Sequence, residues 1–373
     1  MYTRTPWGSV RLDAAAVVRT GSTFEEGRGD VGHDVRTELR FGHHTGIGAG
    51  GRLFNIVDPV EAWQLSDLET ALAAFVARRD YRDYYERHGA NAFVTLFGSR
   101  NLSLTGSYGQ ERWASRELRN PFTLFNGERP WRANPTVDEG LFNIGDVSLR
   151  FDTRTDPEDP WSGWFLNADV EHGEGTVAEP AIQSVLHAGD EIAYNRGFLD
   201  LRRYNRLGPA AQLNMRVVLG GWLSGDPLPV ERRLSVDGPG VMPGFGFRDV
   251  MAGENVGTCN ESPVVNAMGA MCDRIALAQI EYRGDLKLDF SGDWEDWPRH
   301  YHSAHGDVTW VFFADAGRGW NAASTSWTFP ALSTFRSDVG LGLDIGGIGV
   351  YAAKAVSPSN EPVNFFIRLR HRF

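Results

Sequence analysis

Three histidines are the densest group of side chains in the sequence that could bind a metal ion. His300, His302 and His305 lie close together in the stretch HYHSAH, and neutral imidazole is the commonest metal ligand in proteins. No helix or strand pattern fixes their relative geometry, which favours an ordinary polar turn over a metal site. We therefore expect no bound metal.

Other signatures of chemistry are missing from the sequence. The chain contains no HExxH, GxSxG, P-loop or CxxC spacing, which are the common marks of hydrolases, nucleotide sites and zinc sites. We expect a protein that is not an enzyme and that uses no cofactor and no nucleotide. The 37 Lys and Arg against 48 Asp and Glu give a net charge of −11, which argues against a nucleic-acid partner because such proteins normally carry a basic patch.

The composition predicts an all-β protein. Glycine accounts for 43 of the 373 residues, a high share that without a collagen-like period indicates many short strands and turns. No run of about 18 apolar residues occurs, so the sequence predicts no transmembrane helix.

Alternation of apolar and polar residues is the dominant pattern along the chain. In Ala211–Trp222, for example, Leu213, Met215 and Val217 alternate with polar neighbours, as in a strand with two different faces. The polar face carries full charges of both signs in strand after strand, which favours a transmembrane antiparallel β-barrel with lipid outside and a wet lumen inside. A soluble β-sandwich is the alternative. We predict about 14 strands, near residues 7–20, 33–42, 46–57, 90–100, 101–112, 141–153, 163–174, 192–206, 209–224, 274–290, 306–318, 335–346, 348–356 and 363–373.

The predicted connections alternate between short turns and long loops, as in outer-membrane barrels. One long loop is predicted to contain a helix, because Ser66-Asp67-Leu68-Glu69 is a capping box followed by apolar residues at helical spacing. Gly89 is the predicted stop. A surface helix on the barrel mouth is favoured over a helix that binds a partner.

Three segments resemble the barrel of the bacterial surface antigen family, the BamA/TamA-like outer-membrane proteins. The chain ends in VNFFIRLRHRF, similar to a C-terminal barrel signal, and the long loop 225–273 contains PGFGFRDV, similar to a loop motif that folds into the lumen of these barrels. The strands ALAQIEYR and WVFFADAGRGW follow that loop in the family's order. The residues that carry the first two matches are, for the terminal signal, Phe365, Ile367, Leu369 and Phe373, and, for the lumen motif, Gly244, Phe245, Gly246, Phe247, Arg248 and Asp249.

The resemblance implies a location, a function and a larger architecture. It implies a barrel in the bacterial outer membrane with 16 strands, in contact with outer-membrane lipid, that inserts or translocates unfolded outer-membrane or secreted proteins. The lumen-folded loop and a weak seam between the first and last strands would provide the mechanism. Residues 1–373 would form a single barrel domain that lacks the family's periplasmic repeats. A missing first hairpin would explain the two strands short of 16, and a miscount of one hairpin is the alternative. The alternative is a barrel-only pore or surface anchor without assembly activity.

Two residue pairings are expected on this basis. Alternation directs Glu281 and Asp315 into the lumen, where Arg248 of the loop motif could pair with both carboxylates, because a guanidinium offers a planar fork of donors. The alternative is that all three are ordinary solvated charges. The two cysteines of the chain, Cys259 and Cys272, lie in the same loop, and an exported chain passes through an oxidising compartment. We expect a Cys259–Cys272 disulfide rather than two buried thiols.

Overall fold

The computed structural model describes most of the chain. The described residues are 2–5, 8–18, 31–99, 101–116, 122–125, 127–128, 130–182, 184–247, 259, 271–290, 304–321, 329–357, 361–369 and 371–373.

In the described residues, fifteen antiparallel strands form one sheet in which every strand pairs with its neighbours in chain order. Fourteen of them, β2–β15, correspond to the predicted strands, and β1 was not predicted because four residues are too few to show alternation. The strands are β1 Tyr2–Thr5, β2 Gly8–Val18, β3 Val31–Phe41, β4 Thr45–Pro59, β5 Tyr84–Gly98, β6 Leu102–Ser115, β7 Glu139–Asp152, β8 Gly163–Glu179, β9 Glu191–Gly208, β10 Ala211–Gly225, β11 Arg274–Phe290, β12 Ala304–Trp320, β13 Arg336–Ile345, β14 Ile348–Ser357 and β15 Asn364–Arg368.

The two ends of the barrel differ in the length of their connections, as the sequence predicts. Residues 42–44, 99–101, 153–162, 209–210 and 346–347 join strands at what we call the turn end. Residues 60–83, 116–138, 180–190 and 226–273 join strands at the opposite end, called the loop end. In outer-membrane barrels the short turns face the periplasm and the long loops face outward.

The helix α1, Asp67–Ala77, starts as predicted. Ser66 and Glu69 form the complete capping box, which satisfies two amide groups at the helix start. The helix ends well before Gly89, however, because Gly89 lies in β5 and a Cβ there would come within 2.3 Å of the Gln110 carbonyl oxygen. The glycine permits close approach of two strands instead of stopping a helix. No helix in the described part of the chain is long and apolar enough to cross a membrane.

The barrel has an apolar outer face and a charged interior. On β11, Ile280 is 43% exposed whereas Glu281 is 1% exposed, and on β12, Phe312 is 51% exposed whereas Asp315 is 3% exposed. This distribution of apolar and charged side chains is the reverse of that in a soluble protein, and it matches a sheet with lipid outside. The alternation predicted for these strands is therefore confirmed.

Candidate functional site: the lumen loop and the terminal strands

The long connection between β10 and β11 turns into the barrel, and its residues 226–247 are called the lumen loop. Its first anchor is Asp138, which is fully buried at the start of β7. The Asp138 carboxylate accepts hydrogen bonds from the amides of Val230, at 2.9 Å, and Ala181, at 2.8 Å. In return the Glu231 carboxyl group accepts a bond from the Asp138 amide at 3.1 Å. Three loop-end connections are thereby tied at one point.

The Asp138–Glu231 contact places two fully buried acidic residues next to each other. Burial, and then the charge of Asp138, raise the pKa of Glu231 to about 8. A carboxyl group in this position is favoured in its neutral form near neutral pH, because two adjacent buried carboxylates repel each other.

Arg232 forms the second anchor of the lumen loop. Its guanidinium group lies 4.2 Å from the centre of the Trp113 ring, donates to the Tyr85 hydroxyl at 2.6 Å and lies 3.0 Å from a Glu171 carboxylate oxygen. Trp113 in turn stacks on Phe142 with ring centres 4.1 Å apart. Aromatic rings and paired charges therefore fill the loop end of the lumen around one arginine.

A second inserted segment supports the lumen loop from the β4–β5 connection. The Glu61 carboxylate accepts bonds from the amide and the hydroxyl of Ser235, both at 2.7 Å. Gln64 donates to the Ser235 carbonyl at 3.2 Å. Trp63, between them, packs on Phe198 with ring centres 5.4 Å apart. Residues 60–66 therefore lie in the lumen beside the loop.

The predicted lumen motif reaches the barrel wall formed by the last strands. The Gly244 amide donates to the Asp338 carboxylate on β13 at 2.5 Å, and Gln279 on β11 donates to the Val241 carbonyl at 2.8 Å. A Cβ at Gly244 would lie 2.5 Å from the Asp338 Cβ and 2.8 Å from the Ala355 amide nitrogen. Only glycine allows this approach to the wall.

The remaining residues of the motif differ in their surroundings. Phe245 is buried with Met242 in an apolar cluster, and Gly246 follows it. Phe247 meets the Tyr81 ring edge-on, with ring centres 5.8 Å apart. Arg248 and Asp249 lie outside the described residues, so the predicted Arg248 pairing stays a prediction.

The two carboxylates predicted to anchor Arg248 have partners on the wall itself. Asp315 is ion-paired with Arg372 and accepts a bond from Gln279 at 3.3 Å. Glu281 lies 3.4 Å from a guanidinium nitrogen of Arg283. Both carboxylates point into the lumen, as predicted, and both sit on the wall that the lumen loop approaches.

The predicted disulfide between Cys259 and Cys272 is present. Cys272 also pairs through its backbone with Leu234, at 2.8 and 3.0 Å. The returning arm of the connection is therefore attached to the lumen loop at one point and to Cys259 at another.

The terminal strands β1 and β15 lie at the two ends of the sheet and are its shortest members. The ladder between β14 and β15 has five residue pairs, and that between β1 and β2 has four. Phe365 and Ile367 of the predicted terminal signal point outward, with 74 and 64% exposure. The alternation stops at Arg368, because Leu369 follows the strand and the Phe373 side chain is buried.

Helix α1 contacts the last strand. The Glu69 carboxylate accepts bonds from the Arg368 side chain at 2.6 Å and from the Leu369 amide at 3.1 Å. Both Glu69 and Arg368 are buried. A side chain from the β4–β5 connection therefore holds the end of β15.

Several of these contacts could not be read from the sequence. Asp338 lies on the inward face of an alternating strand, and that signal could have identified it. Asp138 and Glu61 lie in irregular connections, where no pattern gives a direction. No group of His, Cys, Asp and Glu that could hold a metal ion is found in the described ranges, and the side chains of His300, His302 and His305 lie outside them.

A single antiparallel sheet with an apolar outside, a charged inside and long loops at one end defines a transmembrane β-barrel of the bacterial outer-membrane type. In fold, the chain is similar to BamA from Haemophilus ducreyi lacking POTRA domains 1–3, with 14% sequence identity and a TM-score of 0.51 over 90% of this chain and 61% of that one. A second similar structure is CdiB from Acinetobacter baumannii, with 10% identity and a TM-score of 0.32 over 96% of this chain and 65% of that one.

The chain thus spans less than two thirds of the length of either structure. No protein-family model matches the sequence, and neither does any curated protein.

Proposed function

We propose that this chain is the barrel of an outer-membrane protein that inserts or translocates unfolded outer-membrane or secreted proteins. Residues 1–373 would form one barrel domain in contact with lipid. The observation that carries the proposal is the short pairing of the last strand, where β15 is joined to β14 by five residue pairs. The central strands β7 and β8, by contrast, share fourteen.

A short terminal strand suits this function for a physical reason. An edge strand carries a row of backbone amide and carbonyl groups that can pair with another chain. A client segment can therefore add to the sheet by backbone pairing, without a sequence-specific pocket. Because the outward residues of β15 are apolar, a strand added there would present its own apolar face to lipid.

The lumen loop supports the same proposal from the inside. Its contacts with Asp338 and Gln279 lie on β13 and β11, close in the sheet to β15. In this proposal the motif Gly244–Asp249 supports the barrel wall next to β15 from inside the lumen. Arg248 adds an ion pair with Glu281 and Asp315.

The test combines photo-crosslinking with a folding assay. A photoreactive phenylalanine analogue replaces Ile367 on β15, and the matched control replaces Val147 on β7, which points outward with 51% exposure. Each variant is placed in vesicles of outer-membrane lipid and mixed with a urea-unfolded outer-membrane barrel protein. We expect faster client folding than in protein-free vesicles, and crosslinks from position 367 but not from position 147.

Equal crosslinking at both positions, or client folding no faster than in empty vesicles, would contradict the proposal. Steady conductance of small solutes through the same vesicles, unchanged when the lumen loop is deleted, would support the pore alternative instead.

A further inference from the structure

A cavity of about 390 Å³ opens at the turn end of the lumen, beside the connection 153–162. We call it the turn-end cavity. Its most frequent lining residue is arginine, contributed by four strands, by the connection 153–162 and by the residues after β15. The arginines are Arg150, Arg154, Arg202, Arg216, Arg368 and Arg372.

Three of these arginines are held in place by one aromatic ring. Arg150, Arg154 and Arg202 lie 5.2, 4.7 and 4.9 Å from the centre of the Phe165 ring. Stacking on an aromatic face orients a guanidinium group and restricts its motion. Arg154 and Arg202, whose side chains are 9 and 19% exposed, are therefore fixed parts of the cavity wall.

Four arginines of the cavity share carboxylates. Asp152 pairs with both Arg150 and Arg154, at 3.2 and 2.8 Å. Asp200 pairs with both Arg202 and Arg216, at 2.6 and 2.8 Å. Two carboxylates therefore form ion pairs with four guanidinium groups.

The other two arginines each have one carboxylate. Arg368 pairs with Glu69 and Arg372 pairs with Asp315. The remaining acidic residue of the lining is Glu158, which is exposed at the rim. Counted by ion pairs, the six guanidinium groups therefore share four carboxylates, with Glu158 as a further carboxylate at the rim.

One guanidinium group has a donor without an acceptor. Arg372 is 4% exposed, and its Nη1 has no hydrogen-bond partner among the described residues. A buried charged donor without a hydrogen-bond partner is unfavourable. An oxygen atom of a ligand in the cavity would satisfy it.

We propose that the turn-end cavity binds a phosphate group, either as free phosphate or as the phosphate of a small phosphorylated molecule such as a lipid headgroup fragment. Forked arginine donors suit the oxygens of phosphate. The volume exceeds that of phosphate alone and falls within the range of small-ligand sites. The proposal does not depend on the insertion function, because binding is measured directly.

Titration calorimetry of the purified full chain in detergent tests the site. Inorganic phosphate is titrated at constant ionic strength with chloride as the balancing anion, and glycerol 3-phosphate is titrated in parallel. We expect saturable binding of at least one of them. Tighter binding of glycerol 3-phosphate would identify a headgroup as the source, and tighter binding of inorganic phosphate would identify the free ion.

The variants decide whether the arginines form the site. Arg154→Gln is expected to weaken binding at least tenfold, and Arg154→Lys is expected to weaken it less, because lysine keeps the charge but loses the fork. The control is Arg203→Gln on β9, next to Arg202 in sequence but stacked on Trp164 at 4.9 Å and absent from the cavity lining. Heats no larger than those of chloride, or equal weakening by Arg203→Gln, would overturn the proposal.

Discussion

The Asp138 anchor at the loop end and the arginines at the turn end stabilise buried charge in opposite ways. The Asp138 carboxylate accepts hydrogen bonds from backbone amides of two loops. At the turn end, arginines outnumber carboxylates, and Asp152 and Asp200 each serve two of them. Each contact at the loop end should therefore be hard to replace, whereas the arginines of the turn end should substitute for one another.

The largest effect is expected from Asp138→Ala. The change leaves the buried amides of Val230 and Ala181 without acceptors, which should lower the free energy of unfolding by about 4 kcal/mol. Urea unfolding in detergent, followed by tryptophan fluorescence, measures it. Asp226→Ala is the matched control, since the Asp226 carboxylate accepts a hydrogen bond from the Ala193 amide at an exposed position. Equal losses in the two variants would show that burial at the loop end is not what matters.

Gly244→Val should have the next largest effect, about 3 kcal/mol, because its side chain would collide with the wall at Asp338 and Ala355. The lumen loop should then become a protease target while the barrel stays folded. Gly106→Val on β6 is the control, as nothing lies within 4 Å of a Cβ placed there. A protected loop in the Gly244 variant would show that the motif is not seated against the wall.

The pH dependence of stability distinguishes the acidic loop end from the basic turn end. The pKa of Glu231 is raised to about 8 in the folded protein from an ordinary value of 4.5, so its contribution is fully present below pH 4.5 and is lost as the pH rises through 8. Between pH 6 and pH 8 the loss should be roughly 2 kcal/mol. Glu231→Gln should flatten this part of the profile. A wild-type profile that already matches that of the variant would contradict the assignment.

The smallest effect is expected from Arg150→Gln at the turn end. Arg150 is 54% exposed, and Asp152 keeps Arg154 as a partner, so the loss should be below about 0.5 kcal/mol. The same urea unfolding measures it. A loss as large as that of Asp138→Ala would remove the contrast between the two ends.

Alternation predicted most of the fold because it needs only local information. A period of two decides which face of a strand a residue occupies, and this placed Glu281 and Asp315 in the lumen. The capping box gave the start of α1 for the same reason, since both partners lie within one turn. The disulfide followed from the cysteine count and the compartment.

The parts that could not be predicted depend on partners far away in the chain. Asp138 and Glu231 are 93 residues apart and lie in connections without periodicity. Gly89 was assigned as a helix stop because its close contact with β6 cannot be seen from its neighbours in sequence. Phe373 was placed on the outward face by alternation, but the strand ends at Arg368, after which alternation no longer gives a direction.

The bond between Arg368 and Glu69 joins residues 299 positions apart. Contacts between residues so far apart in sequence form late, because closing the long intervening chain costs entropy before the contact stabilises the fold. This ion pair therefore cannot form until β15 lies beside α1. In a refolding experiment we expect it to appear late, with the docking of the last strand.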